Sequence, residues 1–251
     1  MLKFNIRYGI KFLTCVHQLT KGGNKIIIYA INIESVSKYF INSLWGYIPE
    51  SRVLSIKKYK NNDDITRSLL GEVIIRILLS ELKGGALIEQ AISRNLFGKP
   101  FLVGGENIHF NISHSGKWVI CAIDNYPIGI DVEEILGVTE SDCKQLFTKD
   151  ENYQLLNENI SFYDLWTCKE SFVKLVGKGL SIPFNSFTVI FNDEYPYIHY
   201  DSTIYYCKQY EFDTGYKIAC CSVRTRFPKK IIVLNERKIN KKINCSMITQ
   251  S

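Results

Sequence analysis

The sequence lacks any run of the roughly 18 or more consecutive apolar residues that a membrane-spanning helix requires, so none is expected. Its opening stretch interleaves Lys3, Arg7 and Lys11 with apolar residues. It has neither a continuous apolar core nor a small-residue cleavage site, which argues against a signal peptide. Eight cysteines are present, but none falls in a paired Cys-x-x-Cys spacing. Cys121, Cys220 and Cys221 lie inside apolar strand-like runs, so buried free thiols in a reducing cytoplasm are expected. Acidic residues are absent from residues 1–24, which carry +4, and nearly absent from 228–251, which carry +5. The body between them is −3, although the whole chain is +6. A nucleic-acid binder carries its basic residues on the folded surface, so that class is disfavoured, and no membrane partner is expected.

What is present is a globular composition, with 251 residues, enough for one large domain or two small ones. Asn24 to Glu34 reads as a strand, Ser35 to Trp45 as an amphipathic helix, and Thr66 to Leu82 as a helix ended by Gly84-Gly85. Asn61 to Asp64 is polar and marks a break. Ser141 to Phe147 is a short helix candidate, and Thr148 with Glu151 forms a capping-box pattern opening the next one. Phe162 to Val176 carries an apolar helical stripe and is stopped by Gly177 and Gly179. Strands are expected at Phe187–Phe191, Ile204–Phe212 and Tyr216–Val223, followed by a loose basic tail.

The central stretch is Phe110 to Glu134. Apolar alternation through Ile112 predicts a strand, Ser113-His114-Ser115-Gly116 a turn, and Trp118–Ile123 a second strand. In Ile128 to Glu133, Ile130 and Val132 face one side while Asp131 and Glu133 face the other. Those carboxylates are roughly 7 Å apart at strand spacing. At an effective dielectric of about 20 they repel by about 2 kcal/mol, which a solvated face or a bound cation would relieve. All-oxygen ligands suit Mg²⁺ or Mn²⁺ rather than zinc.

Other residues carry chemistry-bearing side chains. Lys169 falls within the apolar stripe of 162–176, where a lysine snorkels or meets an anion. Glu170 and Lys174 are one turn apart, as an ordinary surface ion pair would be. His114 suits either a cap or an anion ligand, because its turn offers backbone N–H groups and a cationic ring. Lys99 stands on a Gly98-Lys99-Pro100 turn. Three hard-oxygen acids together with these cations suit a metal-bound pyrophosphate.

A weak internal repeat at a spacing of 99 relates Ile31-Asn32-Ile33-Glu34 to Ile130-Asp131-Val132-Glu133 and Val119-Ile120-Cys121 to Ile218-Ala219-Cys220. Glu72 and Arg76 match Glu170 and Lys174 at a spacing of 98. The expected fold is therefore α+β, made of two pseudo-twofold duplicated α/β halves, each with a small antiparallel sheet packed on helices. The expected divisions are an extension at 1–24, halves at 25–125 and 126–227, and a tail at 228–251.

FNISHSGKWVICAIDNYPIGIDVEE together with FYDLWTCKESFVKLVGKGL resembles the surfactin-type 4′-phosphopantetheinyl transferases, from about Lys25 to Phe227. The resemblance implies that the phosphopantetheine arm of coenzyme A passes to a serine of an acyl or peptidyl carrier protein, releasing 3′,5′-ADP. It implies a monomer with coenzyme A between its halves. Asp131, Glu133 and Glu170 match the family's Mg²⁺ ligands, and Glu170 is the candidate base. Lys174 and His114 would hold phosphate oxygens with help from Lys169. Ser68, Lys99 and Ser113 would also contact coenzyme A. The family's early lysines are replaced here by Ser51 and Leu54, leaving Arg52 as the nearest substitute. The rival reading is a non-catalytic coenzyme A-binding or carrier-docking protein.

Overall fold

The computed structural model describes residues 26–83, 85–137, 144–157 and 160–248. In chain order the first half has β1 (Ile27–Asn32), α1 (Lys38–Ser43), α2 (Glu50–Ile56) and α3 (Asn62–Lys83), then β2 (Ile92–Arg94), β3 (Pro100–Leu102), β4 (His109–Ser115) and β5 (Trp118–Asp124). The second half has β6 (Ile128–Glu134), α4 (Lys149–Asn157) and α5 (Phe162–Val176), then β7 (Val189–Ile190), β8 (Tyr197–Tyr200), β9 (Thr203–Gln209) and β10 (Tyr216–Ser222). The chain closes with β11 (Ile232–Val233) and α6 (Glu236–Ile248).

The sheets run β11-β1-β5-β4 and β6-β10-β9-β8-β7, with a separate β2-β3 hairpin. The orders β1-β5-β4 and β6-β10-β9 repeat one another, and each sheet carries one long helix, as duplication requires. The registers differ in detail. Ile31 lies opposite Val119, but its counterpart Ile130 lies opposite Cys220 rather than Ile218. A slip of two residues keeps every side chain on its original face, so the core pattern survives it.

Alternation builds the layers. Ile27, Tyr29, Ile31, Val119 and Cys121 pack against α3 in one core. The opposite faces, including Ile28, Ala30 and Ile120, meet Ile130, Val132 and Ile218 of the second sheet. Ala219 and Cys221 on the far side of that sheet pack against Cys168, Phe172 and Leu175 of α5. The five cysteines in these layers are free and buried, while Cys245 is exposed and also free. Among the described residues no helix is long and apolar enough to cross a membrane.

α5 occupies the expected span. Ser161 caps it through a reciprocal bond pair with Asp164, and Gly177 ends it at φ 75°. The Thr148–Glu151 capping box also forms, with N–H to side-chain distances of 2.9 and 3.3 Å. The polar break at Asn61–Asp64 is the N-terminus of α3, capped by Asn61 through the Asp63 N–H.

Two expectations fail, and one strand was missed. Ser113-His114-Ser115 is not a turn: it pairs with Trp118–Ile120 as the end of β4. β8 went unread in the sequence. The segment after Pro228 is not loose. β11 pairs in parallel with β1, and Leu234, Ile239 and Ile243 are buried in the first half's core, with Lys242 bound to Glu81. Their apolar positions are spaced out among lysines and asparagines, which hid the helix. The extension at 1–24 lies outside the described residues, as do residues 141–143 of the helix expected at Ser141–Phe147. The described part of that helix is a 3-10 turn, Lys144–Leu146.

Candidate active site

β6 is an edge strand, and the N–H groups on its outer edge need partners. They find them in side chains of β4. The N–H groups of Ile130, Val132 and Glu134 donate to Asn111 Oδ1, Ser113 Oγ and Ser115 Oγ at 2.9, 3.3 and 3.1 Å. This comb joins the two halves. On its other side β6 lies close against α5. A Cβ at Gly129 would stand 1.9 Å from the Ser171 carbonyl oxygen, so only glycine permits that approach. The approach brings Asp131 and Glu133 of β6 to Glu170 and Lys174 of α5.

Asp131 is fully buried. Its Oδ1 accepts from Ser113 Oγ at 2.9 Å and from the Lys174 ammonium, while its Oδ2 is buried with no partner. Glu133 accepts from Ser115 Oγ at 3.1 Å on one oxygen and from Trp166 Nε1 at 3.3 Å on the other. Burial and then the Asp131 charge push its carboxyl up. Burial also raises Glu170; Lys174 opposes the shift, and Asp131 and Glu133 add to it. Burial would lower Lys174, but the Asp131, Glu170 and Glu133 carboxylates outweigh it and hold the ammonium above its ordinary pKa.

His114 points to the opposite face of β4 from Ser113 and Ser115. Desolvation, followed by the charges of Arg67 and Lys174, lowers its pKa below the usual 6.5. Its backbone N–H groups are not an open anion cradle, because this segment is in the sheet.

Lys99 donates to the Leu175 carbonyl at 2.7 Å and the Ile128 carbonyl at 3.4 Å, binding the C-terminus of α5, and burial lowers its pKa to about 8. It lines a cavity of about 220 Å³ with Phe97, Asn111, Glu170, Val173 and Lys174. A cleft of about 1280 Å³ opens nearby, lined by Trp45, Arg67, Gly116, Lys117, Glu134 and Tyr216 among others. Its size does not make it the reacting centre, because neither Asp131, Glu133 nor Glu170 lines it.

Three of the expected contacts are not brought to this centre. Lys169 is fully buried elsewhere, against Glu151 at 2.6 Å and the carbonyls of Phe184 and Phe187 at 2.7 Å each. Its donors tie α5 to the chain after it, which corrects the expected help at phosphate. Arg52 is paired with Glu72 at 3.0 Å. Ser68 is half-buried on α3 and lines neither cavity. Conversely, Asn111, Ser115 and Trp166 hold the site together and were not singled out in the sequence. The readable signal was the polar alternation Asn111-Ser113-Ser115 inside an apolar strand.

The residues fit a hard divalent cation. Its natural donors are carboxylate oxygens, and Asp131 offers a buried one without a partner beside two carboxyls that burial and mutual repulsion disfavour as anions. Among the described residues no three acid, histidine or cysteine side chains already form a closed cage, and Lys174 stands against Asp131.

Residues 127–221 match the family model described as the 4′-phosphopantetheinyl transferase superfamily, and residues 37–125 match the one described as 4′-phosphopantetheinyl transferase, N-terminal. The chain is 36% identical over 220 residues to 4′-phosphopantetheinyl transferase ffp of Bacillus subtilis, covering 83% of this chain and 97% of that one. It is 37% identical to 4′-phosphopantetheinyl transferase Sfp of Bacillus subtilis (strain 168), over 76% of this chain and 88% of that one. It is also 37% identical to 4′-phosphopantetheinyl transferase gsp of Aneurinibacillus migulanus, over 75% and 81% of the two chains. Identity above one third over most of its length, with adjoining family matches that meet at Tyr126, makes this chain a member of the 4′-phosphopantetheinyl transferase superfamily and a transferase enzyme.

Proposed function

We propose that the chain transfers the phosphopantetheine arm of coenzyme A to a serine hydroxyl of an acyl or peptidyl carrier protein. It does so as a cytoplasmic monomer, with both walls of the site supplied by its own two halves. The observation that carries this reading is the buried, unpartnered Oδ2 of Asp131 beside the raised carboxyls of Glu133 and Glu170. Asp131, Glu133 and Glu170 are the residues that would hold Mg²⁺ or Mn²⁺. Such a cation, when bound, would neutralise charge building up on the pyrophosphate.

The chain's own residues do the rest. Glu170 takes the serine proton. The serine oxygen then bonds to the phosphorus that bears the pantetheine arm. The bond from that phosphorus to the bridging oxygen breaks, and 3′,5′-ADP leaves with the electron pair. Lys174 donates to the phosphate oxygens as a cation, and His114 donates to them through a ring N–H. Lys99 and Ser113 border the nucleotide side, with Lys99 also holding the end of α5. Incubating an apo-carrier with coenzyme A and Mg²⁺ tests the reading by intact mass. A gain of one phosphopantetheine is expected, and its absence with several carriers would overturn it.

A further inference from the structure

We propose that Ser115 and Trp166 are positioning residues that fix the Glu133 carboxylate for a divalent cation, one acting from each half. The proposal rests on the metal reading above and adds what orients the ligand. Ser115 Oγ accepts the Glu134 N–H at 3.1 Å, which leaves its single proton for Glu133 Oε2 at 3.1 Å. Trp166 Nε1, which can only donate, takes the other oxygen at 3.3 Å. Each Glu133 oxygen thus receives one hydrogen bond, which sets the plane of the carboxylate and leaves lone pairs for a metal.

The neighbouring teeth of the comb show that this is more than sheet-to-sheet packing. Ser113 repeats the pattern one step along: it accepts the Val132 N–H and donates to Asp131 Oδ1. Each serine therefore accepts one backbone N–H and donates to the carboxylate of the residue just before it. At the third tooth the preceding residue is Gly129, which has no side chain to orient. There the tooth is Asn111, which accepts the Ile130 N–H. Serines stand at the two positions where a carboxylate must be held, and asparagine stands where none is present. A comb needed only to cover the edge of β6 would not need this distinction.

Mn²⁺ binding to the full chain, followed by the loss of the free-ion paramagnetic resonance signal, tests the proposal without turnover. Orienting partners of metal ligands typically change affinity by about 10–100-fold. Ser115→Ala and Trp166→Phe are each expected to weaken Mn²⁺ binding about tenfold, while Ser115→Thr, which keeps the hydroxyl, restores it. Thermal melts without metal report folding separately. Trp166→Phe keeps the ring stacking and leaves the comb untouched, so it decides the matter if Ser115→Ala does not fold. Parent-like Mn²⁺ affinity in folded Ser115→Ala and Trp166→Phe would overturn the proposal. Parent-like affinity in Asp131→Asn would instead overturn the metal reading beneath it.

Discussion

The two halves carry the same pair of charges on their long helices and use them in opposite ways. In the first half, Arg76 is 1% exposed and donates to Glu72 Oε1 through Nε at 3.0 Å and a terminal nitrogen at 2.9 Å. Its remaining donor reaches the carbonyls of Leu87 and Gln90 at 3.0 and 2.9 Å, and Arg52 covers the other oxygen of Glu72. Nothing in that cluster is left over, and it clasps the chain after α3. In the second half, Lys174 is 29% exposed on its side chain and leans on Asp131, while Glu170 is surrounded by charges that mostly repel it. Chemistry needs groups whose demands are unmet in the resting fold, and among the described residues of these two clusters it is Asp131 that keeps a buried oxygen without a partner.

The edges of the sheets explain why. The edge of β1 is closed by the backbone of β11, and Asn32 turns its side chain to the Glu34 N–H at 2.8 Å, so that Glu34 leaves the strand for a 3-10 turn. The edge of β6 is closed by side chains from the other half, so Asp131 and Glu133 stay on a strand.

This contrast can be broken most sharply at Arg76. Removing one partner from a buried ion pair leaves an uncompensated charge and costs about 3–5 kcal/mol. Arg76→Ala should lose that much in denaturant unfolding and touch no reacting group, whereas Lys174→Ala, which strips the buried Asp131 of its cation, should lose most turnover as well. Equal losses of turnover in the two folded variants would erase the distinction. The next effect tests the cover over the first half alone. Ile239 is fully buried, so Ile239→Ala should cost about 2–5 kcal/mol, while a solvated tail would show no change in unfolding midpoint. Asp131→Asn should then lower turnover about a hundredfold or more, because it removes a negative ligand from a hard cation. Asn32→Asp should leave steady-state rates unchanged, since its side chain already serves a backbone N–H. Comparable losses in both would place the metal in the wrong half.

Much of this was legible in the sequence where the local signals agreed. α5 was readable because its apolar stripe and the C-terminal Gly177 bound the same fifteen residues, although Ser161, which caps its start, was not singled out. The two faces of β6 were readable from strict alternation. What was hidden depended on distant partners. Ser113 to Ser115 has turn composition, and only pairing with β5 and the needs of the β6 edge make it strand. Lys169 and Lys174 look alike in the sequence, five residues apart on one helix. Glu151, from α4, takes the first and Asp131 takes the second. The closing helix was masked by its lysines, because the core it completes is nearly the whole chain away in sequence.

Glu170→Gln gives the smallest and most diagnostic effect on stability. Burial lifts the Glu170 carboxyl above its ordinary 4.5, and Asp131 and Glu133 add to that against the pull of Lys174. A carboxyl with a raised folded-state pKa contributes stability that is fully present below the unfolded value and lost as pH rises through the folded one. Above that value the ionised group is a net cost, which a neutral glutamine of similar shape avoids. Glu170→Gln should therefore melt a few degrees higher than the parent at about pH 8, and the advantage should shrink as the pH falls toward the unfolded value. Turnover should move the other way: Glu170→Gln should lose most of its rate, because a glutamine can neither take the serine proton nor offer a carboxylate oxygen. Paired melts and rates across that range separate the two roles. A variant that melts lower than the parent at about pH 8 would mean that Glu170, like Glu72, is a satisfied structural partner after all.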